Sequence, residues 1–283
     1  MTYKTFTLDI ADNKVAHLRF NRPDAYNSMN MDFWQEFPQA IRELDQESQC
    51  RVLVISGEGK HFCSGMDLAV FSSGAIKRPK EAARRNEHLR QVVQQLQSII
   101  SSVEQVRFPV LAAIHGGCIG GALDLACACD CRYMSADAFV SVEEAKLGLA
   151  ADIGTLQRLP KLIGEGLARE LAYTARRMPA AEAMQARLVN QVFDDAESLL
   201  EGVMEIAEQM AKHSPMAIYG CKENLNYSRD HSVEESLRYQ ATWQAGMFQP
   251  EGDMMQAFMA KGQKVDAEYK ELQPSASKFN AKK

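Results

Sequence analysis

One arrangement occurs twice and constrains the fold more than anything else in the chain. The run RVLVIS (51–56) passes directly into the turn GEGKHFCSGMDL (57–68), and VLAAI (110–114) passes into HGGCIGGALDL (115–125). Short, apolar, β-branched runs of this kind read as buried strands. Glycines placed just after a strand let backbone N–H groups come close to a ligand, and a helix beginning there adds the positive end of its dipole. Neither turn has the spacing of a phosphate-binding loop or of a dinucleotide fingerprint. Two strand–turn units separated by helical stretches point to an α/β fold.

The rest of the chain fits that frame. VAHLRF (15–20) alternates like a half-buried strand and stops at the turn signal Asn21-Arg22-Pro23. Residues 29–49 carry Phe33, Phe37, Ile41 and Leu44 at helical spacing, with Pro38 as an expected kink. A second helix is expected over 81–106, and strands at 132–134 and 139–141. Beyond residue 195 the strand signal stops. Helices are expected at 196–212, 215–227, 233–248 and 253–270, and the small, polar, basic stretch 274–283 is expected to fray. The expected organisation is therefore an α/β core over 1–195 and a helical part over 196–283.

Composition narrows the function classes. With 46% hydrophobic and 24% charged residues, the 283-residue chain reads as globular. A formal net charge of −5 supplies no basic field for nucleic acid. The N-terminal stretch lacks a signal peptide's apolar run. The most apolar stretch, 110–128, holds His115 and Asp124, so it reads as strand, turn and helix, and no membrane span is expected. Seven cysteines cannot all pair, and Cys127, Cys129 and Cys131 alternate inside an apolar run, which favours a reducing, cytoplasmic location. These cysteines lack metal-ligand spacing, the histidines form no H-E-x-x-H, and no metal is expected. His61, Cys63 and Ser64 are too close in sequence to face one another as nucleophile and base. Met254, Met255 and Met259 suggest a helix or subunit contact.

Three acids stand in apolar company. Asp124 lies between Leu123 and Leu125 near a helix start, Glu144 follows Glu143, and Asp152 sits in GLAADIGTLQRLP. Each also fits a bland role: a helix-dipole carboxylate, a surface acid and an N-cap, respectively.

The chain resembles the crotonase (enoyl-CoA hydratase/isomerase) superfamily over nearly its whole length. The landmarks are NRPDAYNSMN, GEGKHFCSGMDL, HGGCIGGALDLACACD and LAYTARRMPAAEAMQARLVNQVF, in this order. The resemblance implies a spiral of ββα units with a C-terminal helical trimerisation region, assembled as a homotrimer or as a hexamer (dimer of trimers). Within the superfamily, VEEAKLGLAADIGTLQRLPKLIG is most similar to the delta-3,5-delta-2,4-dienoyl-CoA isomerases, whose three acids fall on Asp124, Glu144 and Asp152. The resemblance also implies an oxyanion hole from the N–H groups of Met66 and Gly121. Substrate contacts are implied at Ala25, Ser64, Gly65, Asp67 and Leu68, and at Phe258 and Lys261 across a subunit interface.

The implied reaction moves the double bonds of a 3,5-dienoyl-CoA to the 2,4 positions. Carbons 2 and 6 are too far apart for one short carboxylate, so two acids are wanted. Glu144 is expected at carbon 2 and Asp152 at carbon 6, with the reverse order open, while Asp124 tunes and positions. No metal or redox cofactor is implied, since coenzyme A enters with the substrate. The alternatives are an enoyl-CoA hydratase, another enoyl-CoA isomerase, or a catalytically dead binder of CoA thioesters. Two departures stand out. Arg187 occupies a place where the superfamily usually has glycine, and Ala122 replaces a common glycine and is expected to narrow the cleft slightly.

Overall fold

The computed structural model describes residues 3–72 and 79–275. In chain order the elements are β1 (Phe6–Ile10), β2 (Val15–Phe20), α1 (Met31–Gln46), β3 (Val52–Gly57), α2 (Ala69–Ser72), α3 (Ala82–Gln105), β4 (Val110–Ile114), β5 (Gly117–Ile119), α4 (Gly121–Ala128), β6 (Cys131–Ser135) and β7 (Phe139–Ser141). There follow α5 (Thr155–Ile163), α6 (Glu165–Thr174), β8 (Arg177–Pro179), α7 (Ala180–Gln185), β9 (Gln191–Phe193), α8 (Ala196–Ala211), α9 (Pro215–Asp230), α10 (Val233–Met247) and α11 (Met255–Gln263).

The larger sheet has the order β1-β2-β3-β4-β6-β9, and all neighbours are parallel except the β1–β2 pair. A smaller sheet, β5-β7-β8, stands beside it. Because side chains alternate across a strand, the large sheet feeds two apolar layers. Leu18, Leu53, Ile55, Ala112 and Ile114 face the main core with Phe33, Phe37 and Ile41 of α1 and Leu123 and Leu125 of α4. Val15, Val52, Val54, Leu111, Ala113 and Tyr133 face the other way, onto α8. Burial on both faces explains why β3 and β4 read as continuous apolar runs.

That second layer draws in α8, which lies beyond the expected division at 195. Leu199, Val203, Ala207 and Ala211 form a four-residue-spaced stripe on α8 that closes the back of the sheet. The packed core therefore extends through α8, and the helices outside it begin at α9. The expected helix over 253–270 is also shorter. It ends at Gln263, where Lys264 takes a left-handed conformation (φ 57°), and the chain then runs back along the core. Arg51 holds this returning segment by donating to Tyr269 O at 2.8 Å and to the Glu271 carboxylate, and Arg107 donates to Gln273 O at 2.9 Å. The expected fraying concerned residues 274–283, of which 276–283 lie outside the described residues. Pro38 lies inside α1, as expected.

Both departures from the superfamily pattern have a structural reading. Arg187 sits at φ 63°, a left-handed conformation that a Cβ disfavours. Ala122 is fully buried in the main core and does not line the cleft, which corrects the expectation that it narrows it.

Two stability outcomes follow. Arg187→Gly relieves the Cβ strain and is expected to change stability by about +0.5 to +1 kcal/mol, read from urea melts; a loss would show that the arginine side chain matters more than its backbone. Lys222 of α9 is buried and donates to Val103 O (2.8 Å), Phe108 O (2.9 Å) and Asp130 Oδ2 (2.8 Å). Lys222→Ala removes the donor of Val103 O and Phe108 O and leaves Asp130 Oδ2 only the Val110 N–H, and is expected to cost about 3 kcal/mol in the same experiment.

Candidate active site

The two glycine turns lie side by side. Cys63 pairs with Cys118 and Met66 with Met29 as isolated parallel bridges, so the segments 63–66 and 117–121 run together. Their approach is closer than side chains allow. A Cβ on Gly65 (φ +87°) would stand 2.5 Å from Ile119 O and 3.1 Å from Gly121 N, and one on Gly121 would stand 3.5 Å from Met66 N. Among the described residues, neither Met66 N–H nor Gly121 N–H has a hydrogen-bond acceptor. Met66 is flanked by bonded neighbours, with Gly65 O accepting from Met29 N and Asp67 N donating to Met29 O. Gly121 opens α4, where the first N–H groups have no partner within the helix.

Both donors line a pocket of about 480 Å³. Of the residues singled out from the sequence, Ala25, Ser64, Gly65, Met66, Asp67, Leu68, Gly121, Glu144 and Asp152 line it. Asp124 lies behind the wall, fully buried. Phe258 and Lys261 are not brought to it; they sit on α11, with Phe258 61% exposed.

Each acid has its own environment. Asp124 accepts from the Thr155 backbone N–H at the start of α5, and its Oδ2 is buried with no partner among the described residues. Burial, against the Thr155 hydrogen bonds, pushes its pKa up to about 7, with the Glu144 and Asp152 carboxylates adding to the rise. Glu144 opens a short 3-10 turn, and its Oε2 is likewise buried without a partner among the described residues. Burial first, then the charge of Asp152, raises its pKa. Asp152 stands at the more exposed rim, its carboxyl raised by partial burial, and Gln97 Nε2 donates to its backbone O at 2.7 Å. Gly120 makes room for the Glu144 carboxyl. It holds φ 53°, ψ −121°, and a Cβ there would meet Glu144 Oε1 at 3.3 Å.

The loop that carries Met66 is braced from below. Asp67 accepts from Ala69 N (3.0 Å), Ser28 Oγ (3.2 Å) and Arg22 (3.3 Å), and these bonds, the Ala69 amide foremost, hold its carboxyl below the usual range. Asn27, buried, donates to Glu58 O and His61 O, both at 2.8 Å. Cys63 is no nucleophile: its Sγ donates to Asn27 O at 3.0 Å, and burial pushes the thiol up to about 12. His61 Nδ1 instead accepts from Gly117 N at 2.9 Å.

Sequence reasoning missed the apolar walls, Ile119, Leu147, Leu149 and Ile153. A signal was present for two of them: Leu147 and Leu149 are apolar and set between two acids of the trio. The pocket thus joins an apolar channel, two free N–H donors and carboxyl groups of raised pKa. Such a site can hold a polarised carbonyl oxygen and move protons beside it.

The comparisons with known proteins agree with this geometry. Residues 11–270 match the family described as enoyl-CoA hydratase/isomerase. The delta(3,5)-delta(2,4)-dienoyl-CoA isomerase of Rattus norvegicus, named as mitochondrial, is 44% identical over 267 residues, covering 94% of this chain and 81% of that protein. The peroxisomal enzyme of the same name from Arabidopsis thaliana is 46% identical over 254 residues, covering 87% and 91%. These compartments differ from the cytoplasmic location expected from the cysteines, all seven of which are unpaired, as any reducing compartment permits. Among solved structures, an enoyl-CoA hydratase from Bacillus anthracis superposes with a TM-score of 0.84 at 30% identity, covering 94% of this chain and 99% of that one. With a family match across nearly the whole chain, relatives well above 40% identity and a shared fold, the chain belongs to the enoyl-CoA hydratase/isomerase family.

Proposed function

We propose that the protein is a delta-3,5-delta-2,4-dienoyl-CoA isomerase. The observation that carries this reading is the grouping of three carboxyl groups of raised pKa, Asp124, Glu144 and Asp152, about one apolar pocket with two free N–H donors. The similarity to relatives named for this activity supports it.

In this reading the thioester oxygen sits between Met66 N–H and Gly121 N–H, which stabilise the enolate formed when a proton leaves carbon 2. One such donor is typically worth roughly 2.7–4 kcal/mol. Glu144, deeper in the pocket and beside Gly120, takes the carbon-2 proton. Asp152, at the rim, delivers a proton to carbon 6 of the delocalised trienolate. Two acids whose pKa values are both raised by burial are suited to take and give a proton in turn. Asp124 stays behind the wall and adjusts the field at Glu144 without touching substrate. The reading needs no metal or redox group, because carboxyls and backbone donors carry the whole proton transfer. The apolar walls, Leu147 and Leu149 among them, suit an acyl chain.

A homotrimeric or hexameric assembly is part of the proposal. Support comes from apolar side chains left exposed on α9–α11, including Leu225 (71%), Leu237 (65%), Phe258 (61%) and Met259 (51%), a density that marks contact surfaces. Sedimentation at micromolar concentration is expected to show a trimer or its double, and a monomer would count against it.

The substrate assay is direct, since moving a diene into conjugation with the thioester changes its ultraviolet absorbance. Wild type is expected to turn over 3,5-dienoyl-CoA faster than it hydrates 2-enoyl-CoA; the opposite ranking would favour the hydratase reading. Glu144→Gln and Asp152→Asn are each expected to lower kcat by about 10²-fold or more with KM little changed. Near-wild-type turnover by Asp152→Asn would remove the remote acid from the mechanism.

Asp124 also carries a pH signature in stability. Its folded pKa lies above that of a free carboxyl, so between about pH 4 and 7 the folded chain holds a proton that the unfolded chain has lost. Stability contributed by this group therefore falls as pH rises through that window and stays low above it. Asp124→Asn keeps an acceptor for Thr155 N–H and abolishes the effect. Its melting temperature relative to wild type is expected to be higher at pH 8 than at pH 5 by a few degrees; an offset equal at both values would mean that Asp124 ionises normally.

A further inference from the structure

Behind the acid trio lies a charge network that the proton-transfer scheme does not use. Arg158, in the first turn of α5, is buried together with Glu104 of α3, their side chains 14% and 12% exposed. Its Nη2 donates to Ser101 Oγ at 2.8 Å and to Glu104 Oε2. Arg229 of α9 donates to the other oxygen of Glu104, and Asn226 Nδ2 donates to Glu104 O at 3.0 Å. Glu104 is thus gripped from two helices, and despite burial these cations hold its pKa below the usual value.

The guanidinium also reaches the active-site side of the helix. Gly154, at φ +142°, is the residue between the acid loop and α5. A Cβ there would lie 1.9 Å from Arg158 Nη1 and 3.9 Å from Asp124 Oδ1. One small patch of backbone therefore separates the arginine from the buried carboxylate, and no side chain fits between them. The next residue, Thr155, gives its N–H to Asp124, and Asp152 stands three residues before it. Gln97, on the same α3 as Ser101 and Glu104, holds the Asp152 carbonyl.

We propose that Arg158 is a positioning residue: its bridge to Glu104 fixes where α5 begins, and so where Asp152 and the Asp124–Thr155 contact stand relative to Glu144. The inference rests on the isomerase reading for its kinetic consequence, though not for its structural one. Both bonds come from the one Nη2, and a lysine ammonium, though it carries three donors, ends one atom short of that position.

The experiment compares wild type with Arg158→Met, Arg158→Lys and Glu104→Gln. On 3,5-dienoyl-CoA, Arg158→Met is expected to lose about tenfold or more in kcat with KM within about twofold, the pattern of a misplaced acid. Arg158→Lys is expected to recover only part of that loss. The Arg158→Met/Glu104→Gln double variant is expected to be no worse than the more damaged single one, because both break the same bridge. Carboxyl titration of the unliganded protein by carbon-13 NMR gives a readout independent of substrate. The Asp124 midpoint is expected to move upward in Arg158→Met, as a cation leaves its surroundings. Should Arg158→Met fold poorly, Glu104→Gln decides by kinetics: a several-fold or larger loss in kcat with KM little changed supports the proposal and wild-type kcat overturns it, since removing an anion does not raise the Asp124 midpoint. Wild-type kcat together with an unmoved Asp124 midpoint would overturn the proposal. If wild type itself fails to isomerise the dienoyl thioester, the function reading falls while the titration still judges Arg158.

Discussion

The structure depends on two backbone segments passing closer than side chains permit. Where 63–66 meets 117–121, a single added Cβ at Gly65 would collide with Ile119 O at 2.5 Å. That contact sets the spacing of the Met66 and Gly121 amides, and with it the place of any oxygen they hold. It also aims α4 so that Asp124, in its first turn, is buried against the start of α5. The sheet beneath, with β3 and β4 apolar on both faces, is the rigid base that keeps the two turns in register. Rigidity matters because electrostatic stabilisation works only if the donors need not move when charge develops.

Burial sets the acids apart. A carboxyl enclosed at Asp124 titrates near neutrality, whereas Asp67, braced by an amide, a hydroxyl and a guanidinium, is held in its charged form. One acid is kept poised and the other kept ionised, in a site whose walls are otherwise apolar. Burial outweighs the Thr155 contact at Asp124, one of whose oxygens has no partner among the described residues, whereas at Asp67 several donors outweigh burial.

Much of this was legible in the sequence, for physical reasons that differ by element. The strands 15–20, 52–57 and 110–114 and the long helices announced themselves through periodicity, because each buries a defined face. Of the four three-residue strands only β7 was expected, at 139–141; β5, β8 and β9 are too short to carry a period, and only their partners define them. The helix after residue 253 was overextended because a left-handed Lys264 carries no signature that glycine would have given. The break at 195 separated strand-bearing from helical sequence correctly in pattern, yet α8 belongs to the core, since pattern does not say which surface a helix will cover. The acid trio was recognisable only through resemblance. Spacing along the chain does not bring residues 124, 144 and 152 together; the turn at Gly120 and the start of α5 do.

Arg51 gives the C-terminal part an unusual mechanical standing. The same guanidinium donates to Ala211 O at 2.9 Å, where α8 ends, and to Tyr269 O at 2.8 Å, where the chain returns. Everything from residue 212 to 268 is therefore an excursion whose two ends are joined at one side chain. The entropy of closing such a loop grows only logarithmically with its length, so residues gained or lost in its outer part, α10 and α11, cost the core little. Lys222 pegs α9 to the core, while α10 and α11 hang further out. The pocket carboxyls are thus insulated from changes in α10 and α11, whereas α9, whose Arg229 and Asn226 hold Glu104, is tied to them.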